Sequence, residues 1–266
     1  DMDGLNFCRA VQRAVRAGKD VIFYKAGRTP EGKSATSGHT ASLAGDYAVC
    51  ESCVRQAGAI VAHSFTQFEN LFMLAERLNG KTIGGNRLAA MSGAGFEAVG
   101  MADSIQTDDY SMVLAPLSDR THEALQGLVD ANRLSGLVTV TNPLDVTPGA
   151  DDHVHAEVIR LLAADPGVDA VVAGLVPMSP VMRTLADPDT PMTMDDERSI
   201  AALLAELLPS LDTPVIGVVD GGRQYDPLVD RLNEAGLCTF RTSDQAVAAL
   251  AQYIDGRLNA ARIRSR

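Results

Sequence analysis

The stretch RLAAMSGAGFEAVGMAD, residues 87–103, carries the clearest structural pattern in this sequence. Residues 87–91 are mostly apolar and predict a buried strand, and the turn SGAG at 92–95 leads into a helical pattern containing Val99 and Ala102. A strand, a glycine-rich turn and a helix in this order are typical of parallel sheets with crossover helices. The turn also offers free backbone N–H groups and the positive end of a helix dipole, which suits a phosphate.

The same alternation continues along the whole chain. Apolar runs rich in β-branched residues predict strands at 21–25, 59–62, 87–91, 112–115, 138–140, 170–175, 215–219 and 238–240. Helical patterns lie between them at 43–57, 67–79, 96–105, 121–134, 152–164, 194–208, 225–235 and 243–260. Because the strands are continuous apolar runs, we predict an α/β fold whose parallel sheets are covered on both faces.

A glycine-rich polar segment at residues 78–86 predicts a domain boundary. We expect a first domain at residues 1–81, with about two strands, and a second at 82–266, with about six. The first is too small for a whole doubly wound domain, and the sequence opens on Asp1 already in a helical pattern. We therefore expect the first domain to be truncated at its N-terminus and the chain to be a fragment of a longer protein.

Composition excludes several classes of partner. The chain has 266 residues and a formal net charge of −11, which argues against binding to nucleic acid or to anionic membranes. No apolar run approaches the roughly 20 residues that cross a bilayer, and the first residues have no signal-peptide pattern. Four cysteines are too few for a disulfide scaffold in a chain of this length. We expect a cytoplasmic protein.

A histidine lies in an unusual setting in KSATSGHTASLAGDY, residues 33–47. His39 has small, flexible neighbours and belongs to a predicted loop of about 17 residues after Lys25, and long loops of this kind are often functional. Neutral imidazole is a nucleophile near pH 7, and oriented amides would stabilise a phosphorylated histidine. His39 is thus either a phosphate carrier or a solvent-exposed loop residue.

The segment GRTPEGKSATSGHTASLAGDY resembles the phosphohistidine segment of the NDP-forming acyl-CoA synthetases, the superfamily that includes succinyl-CoA synthetase. The positions that match its pattern are Gly27, Arg28, Gly32, His39, Thr40, Leu43, Ala44 and Gly45. Two further segments resemble family motifs in the same order along the chain. SGAGFEAVGMAD resembles the second glycine loop through Ala94, Gly95, Val99 and Asp103, with a shift in spacing. TNPLDVTP resembles a third element through Asn142, Pro143 and Asp145.

The resemblance implies two flavodoxin-like, succinyl-CoA synthetase-like domains and an acid–thiol ligase that works through an acyl phosphate and a phosphohistidine. His39 would be catalytic, and the phosphate would be held by Ser42, Gly45, Ser92, Gly93, Ala94 and Gly95. CoA and ATP or ADP would be substrates, with Mg²⁺ accompanying the nucleotide and bound mainly outside this chain. An ATP-grasp domain or subunit and a CoA-binding Rossmann domain would be partners, in a homo- or hetero-oligomer.

The sequence departs from the family at several positions. Ala41 replaces the glycine after Thr40, Gly93 stands for asparagine, and Phe96 stands for glycine. The glutamate that orients the histidine in the family would precede Asp1. A non-catalytic regulatory or scaffolding homologue therefore remains an alternative, and a lyase of the ATP-citrate type would need a further domain.

Other candidate sites have structural interpretations that we prefer. Cys50 and Cys53 have the C-x-x-C spacing but fall within one predicted helix, so we expect them to pack. In GADDHVHAE, residues 149–157, His153 and His155 would point to different helix faces, which disfavours a metal site. We instead expect Asp151 or Asp152 to cap the helix. DGGRQYDP, residues 220–227, is a third glycine turn that could approach a ligand or simply turn the chain. We predict no metal site.

Overall fold

The computed structural model describes residues 4–40, 45–107 and 109–266, and no side chains are described at residues 37–40. The chain forms two compact units. Unit 1 consists of residues 1–76 and 252–266, and unit 2 consists of residues 77–251. The predicted division into domains at 1–81 and 82–266 remains a prediction, and it did not foresee that the last 15 residues belong to unit 1.

The described residues of unit 1 form helices around a short parallel sheet. Two strands, Ile22–Tyr24 and Ile60–Ala62, pair in parallel with Ile22 opposite Ile60. In chain order the elements are α1 (Gly4–Arg16), β1 (Ile22–Tyr24), α2 (Pro30–Thr40), α3 (Tyr47–Gln56), β2 (Ile60–Ala62) and α4 (Phe65–Arg77). The second part of α10 (Ser243–Arg264) also belongs to this unit.

The core of unit 1 joins α1, α3, β2 and the end of α10. Its buried residues are Val11, Val15, Val54, Ala57, Ala59, Val61, Ala260 and Ile263. Gln252 on α10 donates from Nε2 to the carbonyl oxygen of Val61, at 2.8 Å. The C-terminal helix therefore completes the core that the N-terminal elements leave open.

Unit 2 is a parallel α/β layer structure. Its elements are β3 (Arg87–Ser92), α5 (Gly95–Asp103), β4 (Val113–Leu114), α6 (Asp119–Ala131), β5 (Leu144–Asp145), α7 (Asp152–Ala163), β6 (Ala170–Gly174), α8 (Ile200–Leu207), β7 (Val215–Val218), α9 (Asp226–Glu234), β8 (Cys238–Phe240) and the first part of α10. In the described residues the strands lie in the order β4-β3-β6-β7-β8, with β5 also pairing β3, and every pairing is parallel. This is the flavodoxin-like order, so the predicted fold class is confirmed.

The strand order places a topological switch point between β3 and β6. The chain moves from β3 to one side of the sheet and returns to β6 on the other side. Ser92 and Gly174 end these two strands and lie opposite each other. Since open parallel sheets bind ligands beyond the carboxyl ends of strands at such a point, the fold singles out the turn at residues 92–95.

One edge of β3 is paired in an unusual way. Its beginning pairs with β4 and its end pairs with β5. Between them lies the side chain of Asn142, which donates from Nδ2 to the carbonyl oxygens of Leu88 (2.8 Å) and Ala115 (2.9 Å). Its Oδ1 accepts a hydrogen bond from the Ala90 N–H at 2.9 Å. A side-chain amide thus supplies hydrogen bonds that strand backbone would otherwise make.

This arrangement shows that the strand predicted at residues 138–140 is wrong. Val138 and Val140 are buried and Thr139 is exposed, as an extended segment requires. Strand pairing with β3 is nevertheless made by residues 144–145, because Asn142 occupies the middle of that edge. Pro143, which lacks an N–H, follows Asn142 through a cis peptide bond.

We expect Asn142→Ala to lower the free energy of unfolding by about 3 kcal/mol. The substitution removes three hydrogen bonds, each worth about 1 kcal/mol. It leaves the Ala90 N–H and the Ala115 carbonyl without partners, whereas the Leu88 carbonyl still accepts from the Ala115 N–H. Urea unfolding of both proteins measures the difference. Thr141→Val is the matched control, because Thr141 is exposed and loses only its hydrogen bond to the Pro143 carbonyl. Equal destabilisation by the two substitutions would contradict the role given to Asn142.

The predicted long loop after Lys25 is also corrected by the structure. Residues 30–40 form α2, whereas the sequence predicted a loop from Lys25 to the helix starting near residue 43. The Thr29 hydroxyl accepts from the Gly32 N–H at 3.1 Å, Pro30 is the first helical residue, and Glu31 lies in the first turn. These are established helix-start signals, and the small residues that follow concealed them.

Within the described residues, no helix combines the length and apolarity needed to cross a membrane.

Candidate functional site

The turn after β1 explains two glycines of the first motif. Gly27 has a φ of +86°, and a Cβ there would lie 3.4 Å from Cα of Lys33. A Cβ on Gly32 would lie 3.3 Å from the Thr29 hydroxyl oxygen that caps α2. Gly27 is therefore favoured by its left-handed backbone conformation, and Gly32 because a Cβ would crowd the hydroxyl that caps α2.

The structure places the backbone of His39 at the penultimate residue of α2. Its side chain and all of Ser42 lie outside the described residues. Gly45 is exposed and directly precedes Asp46, the N-cap of α3, whose side chain accepts from the Val49 N–H at 3.0 Å. The roles of His39, Ser42 and Gly45 remain predictions.

The second glycine loop, residues 92–95, leads directly from β3 into α5. Ala94 is the N-cap of α5 and provides no side-chain cap. Among the described residues, no hydrogen bond satisfies the backbone N–H groups of Gly95 and Phe96. The Phe96 side chain is 90% exposed. The first turn of α5 is therefore an open helix N-terminus with free donors, as the sequence predicts.

Ser92 lies inside the fold and organises this loop. It is completely buried, and its hydroxyl donates to Oε2 of Glu97 at an O–O distance of 2.5 Å. The same oxygen accepts from the Ala94 N–H at 3.0 Å. A Cβ at Gly174 would overlap Oε2 of Glu97 and lie 2.7 Å from the Ser92 hydroxyl oxygen. The glycine that ends β6 thus makes room for the Ser92–Glu97 pair.

Glu97 is the functional candidate that sequence reasoning missed. Its side chain is buried on the first turn of α5, and that burial raises the pKa of Glu97 to about 7. The hydrogen bond from Ser92 lowers the pKa, and the charge of Asp220 raises it. A carboxyl group that titrates near neutral pH beside a ligand-binding loop is a frequent mark of a functional site. The available signal was an acidic residue at the start of an otherwise apolar helix.

Two further side chains approach the loop at its glycines. Oδ2 of Asp145, from the third motif, lies 2.6 Å from the position of a Cβ on Gly95. Nε2 of His155 lies 3.2 Å from the position of a Cβ on Gly93. The structure therefore brings the second and third motifs of the sequence together at one loop.

His155 on α7 is completely buried, and only one of its two ring nitrogens has a hydrogen-bond partner. Its Nδ1 lies 2.9 Å from the carbonyl oxygen of Asp151, which can only accept, so Nδ1 carries the proton. Nε2 has no hydrogen-bond partner and faces the loop at Gly93. Burial lowers the pKa of His155, and the Asp151 carbonyl partly opposes that shift. A neutral imidazole with an unused nitrogen therefore lies beneath the candidate site.

The structure gives no sign of ligand binding at the remaining candidates that it describes here. Asp151 caps α7 by accepting from the Val154 N–H at 3.0 Å, as predicted. His153 is exposed on the helix face away from the buried His155. Cys50 packs against the core of unit 1 as predicted, whereas Cys53 is exposed, so the prediction that it packs is wrong; both are free thiols. Over the described ranges, no group of three or more His, Cys, Asp and Glu side chains is arranged to hold a metal.

Comparisons with known proteins found a matching family model and similar CoA ligases. The family model described as a succinyl-CoA ligase like flavodoxin domain matches residues 2–75. The chain is 29% identical over 250 residues, 94% of its length, to the α subunit of an ADP-forming acetate–CoA ligase II of Pyrococcus furiosus, and covers 50% of that protein. It is 33% identical over 175 residues, 66% of its length, to an ADP-forming acetate–CoA ligase I of Archaeoglobus fulgidus, and covers 24% of that protein.

A solved structure shares the fold over nearly the whole chain. It is acetyl-coenzyme A synthetase 1 of Candidatus Korarchaeum cryptofilum, described as dinucleotide forming and solved in complex with phosphate and ADP. It superposes with a TM-score of 0.73 and 24% identity, covering 98% of this chain and 51% of that one. The chain thus spans about half the length, or less, of these three relatives.

Proposed function

Because the chain is related to the NDP-forming acyl-CoA synthetases, we propose that it is part of an ADP-forming acid–thiol ligase that carries a phosphoryl group on His39. The overall reaction would convert acyl-CoA, phosphate and NDP into a carboxylic acid, CoA and NTP, and the reverse. His39 would be the nucleophile that takes the phosphoryl group from an acyl phosphate and passes it to the nucleotide. Ser42 and Gly45 would help to hold the phosphate in unit 1.

The open N-terminus of α5 at the switch point of unit 2 carries this proposal most strongly. The free N–H groups of Gly95 and Phe96 and the helix dipole are suited to a phosphoryl group. Gly93 and Ala94 would let the backbone approach the anion closely. Ser92 would act by holding the loop, because its buried hydroxyl already binds Glu97 and Ala94.

The other components follow from the family. CoA and ATP or ADP would be substrates, and Mg²⁺ would accompany the nucleotide, bound mainly outside this chain. An ATP-grasp domain or subunit and a CoA-binding Rossmann domain would complete the enzyme, in a homo- or hetero-oligomeric assembly. We propose a cytoplasmic location, where acyl-CoA and nucleotides are available.

An activity assay on the complete protein with its partner domains tests this proposal. The protein is incubated with Mg²⁺, ATP and CoA together with acetate or a series of larger carboxylic acids, and ADP release is followed. We expect ADP release that requires both CoA and an acid, with acyl-CoA as the product. Absence of acid-dependent ADP release with every acid, from protein that is folded and fully assembled, would favour the non-catalytic homologue.

A further inference from the structure

The loop at residues 92–95 is surrounded by groups that oppose its proposed ligand. Asp145 on β5 approaches Gly95, and Glu97 lies on α5 itself. Asp220 lies just after β7, and its negative charge raises the pKa of Glu97. His155 on α7, which burial keeps neutral, also faces the loop. A phosphate entering here would therefore meet carboxylates as well as helix amides, and like charges disfavour each other.

Glu97 is the carboxyl group whose charge the fold can most readily remove. Only 7% of the residue is exposed, and a proton would relieve the cost of burying its charge. Its hydrogen bond with Ser92 persists in either state, because a neutral carboxyl group can both donate and accept. Protonation would therefore remove a negative charge from the first turn of α5 without dismantling the loop.

Independent evidence that the loop receives a ligand comes from His155. This residue is completely buried, and its Nε2 faces Gly93 without a hydrogen-bond partner. Buried polar atoms are normally paired, so an unpaired one beneath a loop points to a missing partner at that place. As an acceptor, Nε2 suits a water bridging to the anion, or the P–O–H group of a hydrogen phosphate.

We propose that Glu97 is a positioning residue that takes up a proton from solvent when an anion binds at the first turn of α5, so that phosphate binding is coupled to proton uptake. In the neutral state Glu97 holds the Ser92 hydroxyl, which in turn accepts from the Ala94 N–H, and adds no negative charge to the helix N-terminus. In the ionised state it holds the same loop but opposes the anion. The proposal rests on the proposed function of this loop as the phosphate site.

Sulfate binding to the protein at two pH values tests the coupling. Sulfate stays a dianion throughout the neutral range, so its own titration does not interfere. Amide NMR shifts of Gly95 and Phe96 localise binding, and the carboxyl carbon signal of Glu97 reports its ionisation. If bound sulfate raises the pKa of Glu97 by about one unit, affinity should be about fivefold weaker at about pH 8 than at about pH 6.

Matched variants assign this pH dependence to Glu97. Glu97→Gln keeps the size and hydrogen-bonding capacity of the side chain but cannot ionise, so its sulfate affinity should be nearly constant between the two pH values. Glu123→Gln makes the same chemical change at an exposed position of α6 and should retain the wild-type pH dependence. Asp220→Asn should move the midpoint to lower pH, because the charge of Asp220 raises the pKa of Glu97.

The outcomes separate this inference from the proposed function. Sulfate binding at the loop with the same pH dependence in wild-type protein and Glu97→Gln would overturn the coupling and leave the phosphate site intact. Loss of sulfate binding in Glu97→Gln at both pH values would also overturn it, since the neutral side chain should suffice. Absence of shifts at Gly95 and Phe96 at any sulfate concentration would overturn both proposals for this loop.

Discussion

His39→Ala is expected to lower ADP-forming acyl-CoA synthesis on the order of a thousandfold or more, because it removes the proposed nucleophile. The variant should also accumulate no acid-labile, base-stable phosphoryl group. Its fold should be unchanged, since His39 lies near the C-terminal end of the short helix α2 and an alanine suits a helix. Steady-state kinetics and phosphoryl labelling on the complete protein measure the two effects.

Matched variants separate loss of chemistry from general damage. His122→Ala removes an exposed histidine on α6 and should keep wild-type rates and labelling. His39→Gln, which retains a polar side chain but no nucleophilic nitrogen, should be as inactive as His39→Ala. Substantial acid-dependent ADP release by either His39 variant would contradict a phosphoryl carrier at this position.

Asp152→Ala is expected to destabilise unit 2 by about 3–5 kcal/mol, the range for breaking a buried ion pair. Asp152 is completely buried at the start of α7. Oδ1 accepts from the Ile200 N–H at 2.7 Å, and Oδ2 accepts from the N–H (3.1 Å) and Nη1 (3.1 Å) of Arg183. One carboxylate thus fixes both the loop after β6 and the start of α8. Its removal leaves a mostly buried guanidinium without its nearest counter-charge.

Denaturant unfolding tests this role against a control from the same region. Asp195→Asn breaks an exposed pair with Arg231, where the two side chains are 49% and 44% exposed. Such pairs contribute between about 0 and 1 kcal/mol, so this variant should unfold nearly like wild type. If Asp152→Ala were no more destabilising than Asp195→Asn, the anchoring role of Asp152 would be wrong.

Much of the architecture could be predicted because its signals are local. Continuous apolar runs identified β3, β6 and β7, and the glycine turn at 92–95 identified the start of α5. The helix cap was predicted at Asp151 or Asp152 from their position before an apolar helical pattern, and the structure shows that it is Asp151. Each of these features depends on residues close together in sequence, where periodicity and capping rules apply.

The failures arose where distant residues decide the local structure. Nothing near residues 138–140 shows that the edge of β3 is already filled by the side chain of Asn142. The Glu97 side chain fits its buried position only because Gly174, at the end of β6, has no Cβ, and no local pattern reveals that contact. The motif residues Asn142 and Asp145 were found by resemblance, and the structure adds that one completes a strand edge and the other approaches the glycine loop.

The candidate site itself could be predicted only in part. Sequence reasoning selected the loop at 92–95, which the fold places at its switch point. Its assignment of phosphate binding to Ser92 stays a prediction, and the structure adds that the Ser92 hydroxyl is hydrogen-bonded to Glu97 and Ala94. Small residues around His39 were taken to indicate a loop, although Thr29 and Pro30 start a helix there.

The position of the phosphoryl group in the complete enzyme provides the most direct test. The assembled protein is incubated with Mg²⁺ and ATP, quenched in alkali, digested and analysed by mass spectrometry with fragmentation that preserves phosphohistidine. We expect the phosphoryl group on His39, within the segment at residues 33–47, and its disappearance when acyl-CoA synthesis is completed by adding CoA and acid. A phosphoryl group on any other residue, or acyl-CoA synthesis with no phosphorylated His39 under any condition, would contradict this account.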